Sequence, residues 1–423
     1  MEENIREKAV LVGLAADIME EGERSTDESM DELEALLETA GGRSFAKMLQ
    51  NKKTPDPRTF IGGGKVEELR ELMEANGCDL AVFDNELSPS QTRALEDDLG
   101  KHVIDRTQLI LDIFAQRART KEGRLQVELA QYKYMLPRLT GMWTHLVRQT
   151  ASGGSSPIGT RGPGETQLET DRRHIRRKIQ KLQEDLEEVR RVRSTQRRQR
   201  EKNGVAVAAL VGYTNAGKST LLNLLTDSDI PANNRLFDTL DTTTRKLTLA
   251  PGQEVLLSDT VGFIRKLPHH LVEAFKATLE ELKYADILLH VIDAANPEYE
   301  LQMEVVEGLI SELGASGTPV LRIFNKADIC PAPSLLPSGP DCVVISAKTG
   351  EGRDALVSRI SEILGRGRKR VTLHIPYTDG GLTELLHREA EVLNLQYLEG
   401  FIEADVIIKP ELWGRVRDYA AEV

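Results

Sequence analysis

Cysteine is scarce in this 423-residue chain. Cys78, Cys330 and Cys342 are odd in number, scattered and without C-x-x-C spacing, which argues against both a disulfide framework and a cysteine-type zinc site. The histidines fall at no spacing that suits a metal. No apolar run approaches the roughly 20 residues that a membrane span needs, and the opening segment Met1 to Lys8 is charged, unlike a secretory leader. An excess of positive charge is missing as well: 67 acidic residues against 55 basic ones give a net charge of −12, so the molecule does not hold nucleic acid by its overall charge. Internal repeats and long low-complexity tracts are lacking. These absences point to a reducing, cytoplasmic setting without integral membrane insertion, with peripheral membrane contact left open. DNA is not an expected partner, and a monomer is the expected state.

What is present is enough chain for two to four domains, at about 150 residues each. Residues 1–117 alternate short apolar runs (Ala9 to Leu14, Thr59 to Ile61, Leu80 to Phe83, Val103 to Asp105) with helical stretches, which predicts a small N-terminal α/β domain with a largely parallel sheet. Within it, Gly62-Gly63-Gly64-Lys65 reads as a tight strand-to-helix turn, and as the one foothold for a second phosphate site. Residues 118–202 predict a helical hairpin connector. Its first arm, 118–150, has a mostly apolar face given by Leu125, Val127, Leu129, Tyr132 and Tyr134-Met135-Leu136; residues 151–168 are a loop rich in glycine and proline. The second arm, Asp171 to Lys202, holds 13 basic residues against 6 acidic ones, with Ile175, Ile179, Leu182, Leu186 and Val189 recurring in steps of four and three. Such a charged face is either solvated or, as a local basic excess in an acidic protein, a surface for RNA. Residues 203–366 return to the strand-helix rhythm with apolar strands suited to burial on both faces. Residues 367–423 predict a small C-terminal α+β domain: a strand at Val371 to Ile375, a helix over 381–393, a strand over Phe401 to Ile408 and a last helix near 411–421. The fold class is therefore multidomain α/β.

Chemistry is concentrated in the third of these units. Gly212-Tyr213-Thr214-Asn215-Ala216-Gly217-Lys218-Ser219 follows the apolar run Val205 to Val211 and is a P-loop: glycines turn backbone N–H groups around phosphates, Lys218 supplies a point charge, and the Ser219 hydroxyl suits Mg²⁺. Thr220 opens a helix whose N-terminus faces the same anion. Asp259-Thr260-Val261-Gly262 ends another apolar strand; Asp259 is placed to hold Mg²⁺ through water, and the Gly262 N–H to meet a γ-phosphate. Lys218 and Gly262 would stabilise the transferring phosphate, and no further catalytic group is assigned. Between these motifs lies Phe237-Asp238-Thr239-Leu240-Asp241, where Thr239 is the chosen Mg²⁺ ligand and Thr242, Thr243 and Thr244 compete for the role. Asn325-Lys326-Ala327-Asp328 selects guanine, because the Asp328 carboxylate can accept from the ring N–H and the exocyclic amine together, groups that adenine does not offer in that position. Ser346-Ala347-Lys348 at the next strand end adds a backbone N–H for the guanine oxygen. In this order the motifs predict a Ras-like P-loop GTPase domain binding GTP or GDP with Mg²⁺. Phe263 stands where Ras-like proteins carry a water-orienting glutamine, so hydrolysis is expected to be slow alone and stimulated by a partner.

With these residues in hand, the chain resembles the HflX family of translation-factor-class GTPases over nearly its whole length. The resemblance rests on Asp84 to Gln91, Asp105-Arg106-Thr107 with Ile113 to Ala118, Leu136 to Trp143, and above all on Gly159-Thr160-Arg161-Gly162-Pro163-Gly164-Glu165-Thr166-Gln167-Leu168-Glu169-Thr170-Asp171-Arg172-Arg173. It implies binding to the large ribosomal subunit and GTP-dependent separation of stalled or idle ribosomes under stress. It also implies Thr239 as the Mg²⁺ ligand, and contacts of Gly159, Arg161, Gly162, Gly164, Arg172 and Arg173 with ribosomal RNA. Two positions depart from the pattern: Asp238 replaces a small residue, and Gly63 a common serine. The alternatives are a ribosome assembly factor without splitting activity and a GTPase partner in tRNA modification. The latter would need a nucleophile-base pair that is not recognisable here and a terminal cysteine motif where the chain ends at Val423.

Overall fold

The computed structural model describes residues 7–142, 163–202, 205–226, 236–237, 243–250, 253–267, 271, 280–365, 369–408 and 410–421. The first sheet is wholly parallel and contains β1 (Lys8–Ala16), β2 (Arg43–Lys52), β3 (Leu80–Phe83) and β4 (His102–Asp105) in the order β2-β1-β3-β4. Its crossovers are α1 (Asp27–Ala40), α2 (Gly63–Asn76) and α3 (Pro89–Leu99), and α4 (Arg106–Arg117) follows the last strand. Local chemistry sets their starts: Thr26 and Ser29 form a capping box at α1, and Ser88 and Gln91 form another at α3, where Pro89 occupies the first turn. Leu33, Leu36 and Leu37 of α1 join Leu109, Ile110 and Ile113 of α4 on one side of the sheet. Leu69, Met73, Leu95 and Leu99 of α2 and α3 cover the other.

One expected strand is a turn. At Thr59 to Ile61, Asp56 and Phe60 exchange backbone hydrogen bonds of 2.8 and 3.0 Å, and Phe60 adopts φ 65°. The strand beside β1 is Arg43–Lys52, an edge strand in which only Met48 is fully buried. Edge position explains why it carries no apolar run to read. The Gly62 N–H donates to Gln50 Oε1 at 2.9 Å and Lys65 pairs with Glu68, so the glycine-rich turn is closed by its own neighbours.

Helices α5 (Lys121–Met142) and α6 (Pro163–Lys202) form an antiparallel hairpin. Leu125, Leu129 and Tyr132 meet Ile179, Leu182 and Leu186. Arg193 pairs with Glu122 at 2.7 Å, and Lys178 donates to the Tyr132 hydroxyl at 2.8 Å. Helix α6 starts at Pro163, eight residues before the expected Asp171. Proline suits a first helical turn because its missing N–H would have had no partner there. The glycine-rich segment therefore does not extend to 168 as a loop. The second half of α5 is tied to the first sheet: Asp105 accepts from the Tyr134 hydroxyl at 2.9 Å and from Arg138 at 3.1 Å, while the Arg138 guanidinium lies 3.4 Å over the Tyr134 ring. Burial, and then the Asp105 charge, push the Tyr134 phenol well above its usual range.

The second sheet contains β5 (Ala206–Gly212), β6 (Thr243–Ala250), β7 (Gln253–Asp259), β8 (Ile287–Asp293), β9 (Val320–Asn325) and β10 (Cys342–Val344) in the order β10-β9-β8-β5-β7-β6. Only β6 runs antiparallel. Helices α7 (Lys218–Thr226), α8 (Tyr299–Glu312) and α9 (Arg353–Gly365) pack on it. The third sheet is antiparallel, β11 (Lys369–Pro376), β13 (Phe401–Ile408) and β12 (Glu391–Leu398) in that order, covered by α10 (Gly380–Glu389) and α11 (Pro410–Val416). The helix expected over 381–393 stops at Glu389, and the last helix ends at Val416 with a 3-10 turn over Arg417–Tyr419. A bulge between Val392 and Asn394 breaks the alternation that would have announced β12. Among the described residues no helix is long and apolar enough to cross a membrane.

The first and second sheets share one apolar core, in which Phe114 of α4 meets Phe237 edge-on at a centroid distance of 4.7 Å. Beside that core lies a buried ionic network. Arg106, 2% exposed, donates to Asp84 at 2.8 Å and to Glu32 at 2.5 Å. Burial works against the Arg106 charge, but Glu32 and Asp84 hold its pKa above the usual value. Replacing Arg106 by methionine leaves two acids without their shared cation, so R106M is expected to lose about 3–5 kcal/mol of stability, measured by urea unfolding at neutral pH.

Candidate nucleotide-binding site

The P-loop leaves the carboxyl end of β5, the central strand, whose neighbours β7 and β8 diverge in sequence on either side. In an open α/β sheet that is where a crevice opens. Two glycines are required by contact: a Cβ on Gly212 would lie 2.3 Å from the Val291 carbonyl oxygen, and one on Gly217, at φ 96°, would lie 2.3 Å from Asn325 Nδ2. The Lys218 ammonium donates to the Gly212 and Tyr213 carbonyls at 3.0 and 2.8 Å, so the lysine is held inside the curve of its own loop. Burial lowers its pKa to about 8, against the opposing pull of Asp259.

Ser219 Oγ donates to Asp259 Oδ2 at 2.9 Å, and Thr260 Oγ1 to the Leu210 carbonyl at 2.6 Å. A hydroxyl and a carboxylate in contact at the phosphate end of the loop are hard oxygen donors of the kind Mg²⁺ takes alongside substrate phosphates and water. Thr243 and Thr244 open β6, opposite Asp259 and Ser258. Asp238, Thr239, Leu240, Asp241 and Thr242 lie outside the described residues, as do Gly159, Arg161 and Gly162. Gly164 falls in the backbone of α6; Arg173 is exposed and Arg172 half-buried on the same helix.

The residues of the N-K-x-D and S-A-K motifs converge on the same crevice from the ends of β9 and β10. Asn325 Nδ2 donates to the Ala216 carbonyl at 2.8 Å while its Oδ1 accepts from the Ala347 N–H at 2.9 Å. One side chain thus ties the P-loop to both distal loops. Lys326, at φ 64°, extends its amine to Asp293 at 2.7 Å, and Ser346 Oγ donates to Asp328 Oδ1 at 2.7 Å. No sequence motif singles out Asp293. Its one signal in the sequence is a carboxylate at the carboxyl end of an apolar strand.

Phe263 does not face the phosphate end of the loop. Its side chain is 1% exposed in the shared apolar core, and its backbone forms a short parallel bridge with Tyr213: Thr214 N–H donates to the Phe263 carbonyl at 2.7 Å, and Phe263 N–H to the Gly212 carbonyl at 3.1 Å. The segment after Gly262 is laced to the P-loop by backbone. Tyr213, in sequence only a variable P-loop position, donates its hydroxyl to Glu32 at 2.6 Å and accepts from the Arg265 N–H at 2.8 Å. Its distance in sequence from Glu32 hides that role.

Comparison with known proteins places this arrangement among relatives. Three family profiles match in succession: a GTP-binding GTPase N-terminal region over residues 27–115, a GTP-binding GTPase middle region over 117–200, and a 50S ribosome-binding GTPase over 207–326. The chain is 46% identical to the GTPase HflX of Lacrimispora saccharolytica over 418 residues, covering 98% of this chain and 97% of that one. It is 44% identical to the GTPase HflX of Escherichia coli K12 over 377 residues, covering 88% and 87%. Among solved structures, a GTP-binding protein from Sulfolobus solfataricus in complex with GDP is 25% identical, covering 85% of this chain and 99% of that one, at a TM-score of 0.43.

Two outcomes follow from the site's chemistry. Asp328→Asn removes charge-assisted acceptance from guanine, each such bond being worth about 1.5–3 kcal/mol, so GTP affinity should fall on the order of 10- to 150-fold, read by nucleotide titration. Phosphate oxygens favour the charged lysine, so the bound form keeps its proton to higher pH than the free form. Nucleotide affinity should therefore weaken as pH rises above about 8, with proton uptake on binding visible by calorimetry in buffers of different ionisation enthalpy.

Proposed function

The chain belongs to the HflX family of GTPases, and from that premise we propose that it is a GTP-driven switch that binds the large ribosomal subunit and splits stalled or idle ribosomes under stress. The observation that carries the reading is the exposed basic run in the first half of α6, where Arg173, Arg176, Arg177, Lys178 and Lys181 stand on a hairpin tied through α5 to the rest of the fold. Cations in such a row suit the phosphates of ribosomal RNA, which position a protein without reading sequence. The glycine-rich residues Gly159 to Gly164, with Arg161, Arg172 and Arg173, would enter the RNA beside them, because chain without bulky side chains lets backbone approach closely.

In this proposal Lys218, Ser219 and the P-loop backbone hold the phosphates, Asp328 selects guanine, and Ser219, Thr239 and Asp259 hold Mg²⁺, Asp259 through water. The metal supplies charge stabilisation of the phosphates. GTP would order the segments around Thr239 and Gly262 and so favour the ribosome-bound form, to the extent that it binds that form more tightly. Because Phe263 supplies no water-orienting amide, turnover is slow until the ribosome orders the site. The division into units 1–117, 118–202, 203–366 and 367–423, and the cytoplasmic, monomeric state, belong to the same proposal.

Sedimentation of intact ribosomes with the protein and GTP, GDP or a nonhydrolysable GTP analogue tests it. Conversion to free subunits with GTP and the analogue, and not with GDP, is expected. Binding to the large subunit without any loss of intact ribosomes would favour the assembly-factor alternative. Deleting residues 153–164 should abolish splitting while leaving GTP affinity in place.

A further inference from the structure

The charges buried beside the shared core balance only when both sheets contribute. Glu32, Asp84 and Arg106, all from the first sheet and its helices, sum to one negative charge; Lys266, from the segment after Gly262, neutralises it by pairing with Asp84. Asp84 is wholly buried, and Ser25 and Ser29 donate to its Oδ2 at 2.7 and 2.9 Å. Burial alone would push its carboxyl up, yet Arg106 and Lys266 overcome that and hold it below the usual range. Lys266 reaches this place from a left-handed backbone at φ 53°, a conformation that a non-glycine residue adopts at a cost. One residue earlier, the Arg265 N–H is fixed to the Tyr213 hydroxyl, which is itself anchored on Glu32.

The same stretch of backbone begins at Gly262, which packs directly on the phosphate-binding lysine: a Cβ built there would lie 3.1 Å from Lys218 Nζ and 2.8 Å from Thr214 Cγ2. If Lys218 and Gly262 are the phosphate contacts of the proposed function, a third phosphate would enter between them. In that reading an outward shift of Gly262 would be passed along Phe263, whose backbone is bonded to Gly212 and Thr214, to Arg265 and Lys266.

We propose that Glu32, Asp84 and Arg106 form an acidic socket for the segment after Gly262, and that this socket and the γ-phosphate compete for that segment, with Lys266 as the positioning residue. The inference rests on the reading of Lys218 and Gly262 as phosphate contacts, and it makes the GTP-to-GDP preference of the site a property of the contact with the first sheet. A coupling of this kind is reciprocal, so GTP also loosens the socket.

Competition titrations on the full chain with GDP and a nonhydrolysable GTP analogue test it. Lys266→Met should tighten the analogue about 5- to 10-fold while GDP stays within about twofold, the scale of ordinary coupling between sites. Lys266→Arg, which keeps the charge, should return the ratio toward wild type. Asp84→Asn should move the ratio in the same direction, and combining it with Lys266→Met should add nothing further, as expected of two residues acting through one contact. Should Asp84→Asn fail to fold, the two Lys266 variants decide alone, since Asp84 keeps Arg106 in both. An unchanged ratio in Lys266→Met, a weaker analogue, or equal shifts for both nucleotides would overturn the socket. Wild-type protein that bound neither nucleotide would instead overturn the reading of the site and the inference with it.

Discussion

The buried pairing of Arg106 with Asp84 and Glu32 is the constraint on which the arrangement of the two large sheets depends. An arginine with 2% of its side chain exposed is tolerable only with its partners in place, and those partners are in turn shared with residues of the second sheet, Lys266 through Asp84 and Tyr213 through Glu32. The network therefore does more than fill space. Two acids and two bases close only in one relative placement of α1, α4, the P-loop and the segment after Gly262.

Around that contact the nucleotide site is built from backbone and short polar bonds. Lys218 is held by its own loop, Asn325 bridges the P-loop to the loops after β9 and β10, and Ser219 meets Asp259. Phe263 belongs to the same design. An apolar side chain at that position extends the core shared with α1 and α4, while its backbone carbonyl and N–H stitch the segment to Gly212 and Thr214. The position that lacks a water-orienting glutamine is the one that anchors the segment after Gly262 to the rest of the molecule.

Much of the fold is legible in the order of the residues. Strands β1, β3, β5 and β8 are buried on both faces and announce themselves as apolar runs. Strand β2 does not, because an edge strand with one buried methionine looks like a polar loop. Strand β12 is hidden by a bulge that shifts its alternation by one residue, and the start of α6 by a proline and a glycine that read as loop but suit a helix N-terminus.

By itself the sequence determined the P-loop, the D-x-x-G, N-K-x-D and S-A-K motifs, and the family to which the chain belongs, because each depends on a few residues adjacent in the chain and on the strand that precedes them. Tertiary structure alone decided that Tyr213 answers to Glu32, Lys266 to Asp84, Lys326 to Asp293, and Phe263 to a core shared with the first sheet. Those pairings join residues far apart in sequence. For Asp84 the partner is selected by burial, where an unpaired charge is too costly to persist, and that burial exists only once the sheets have packed.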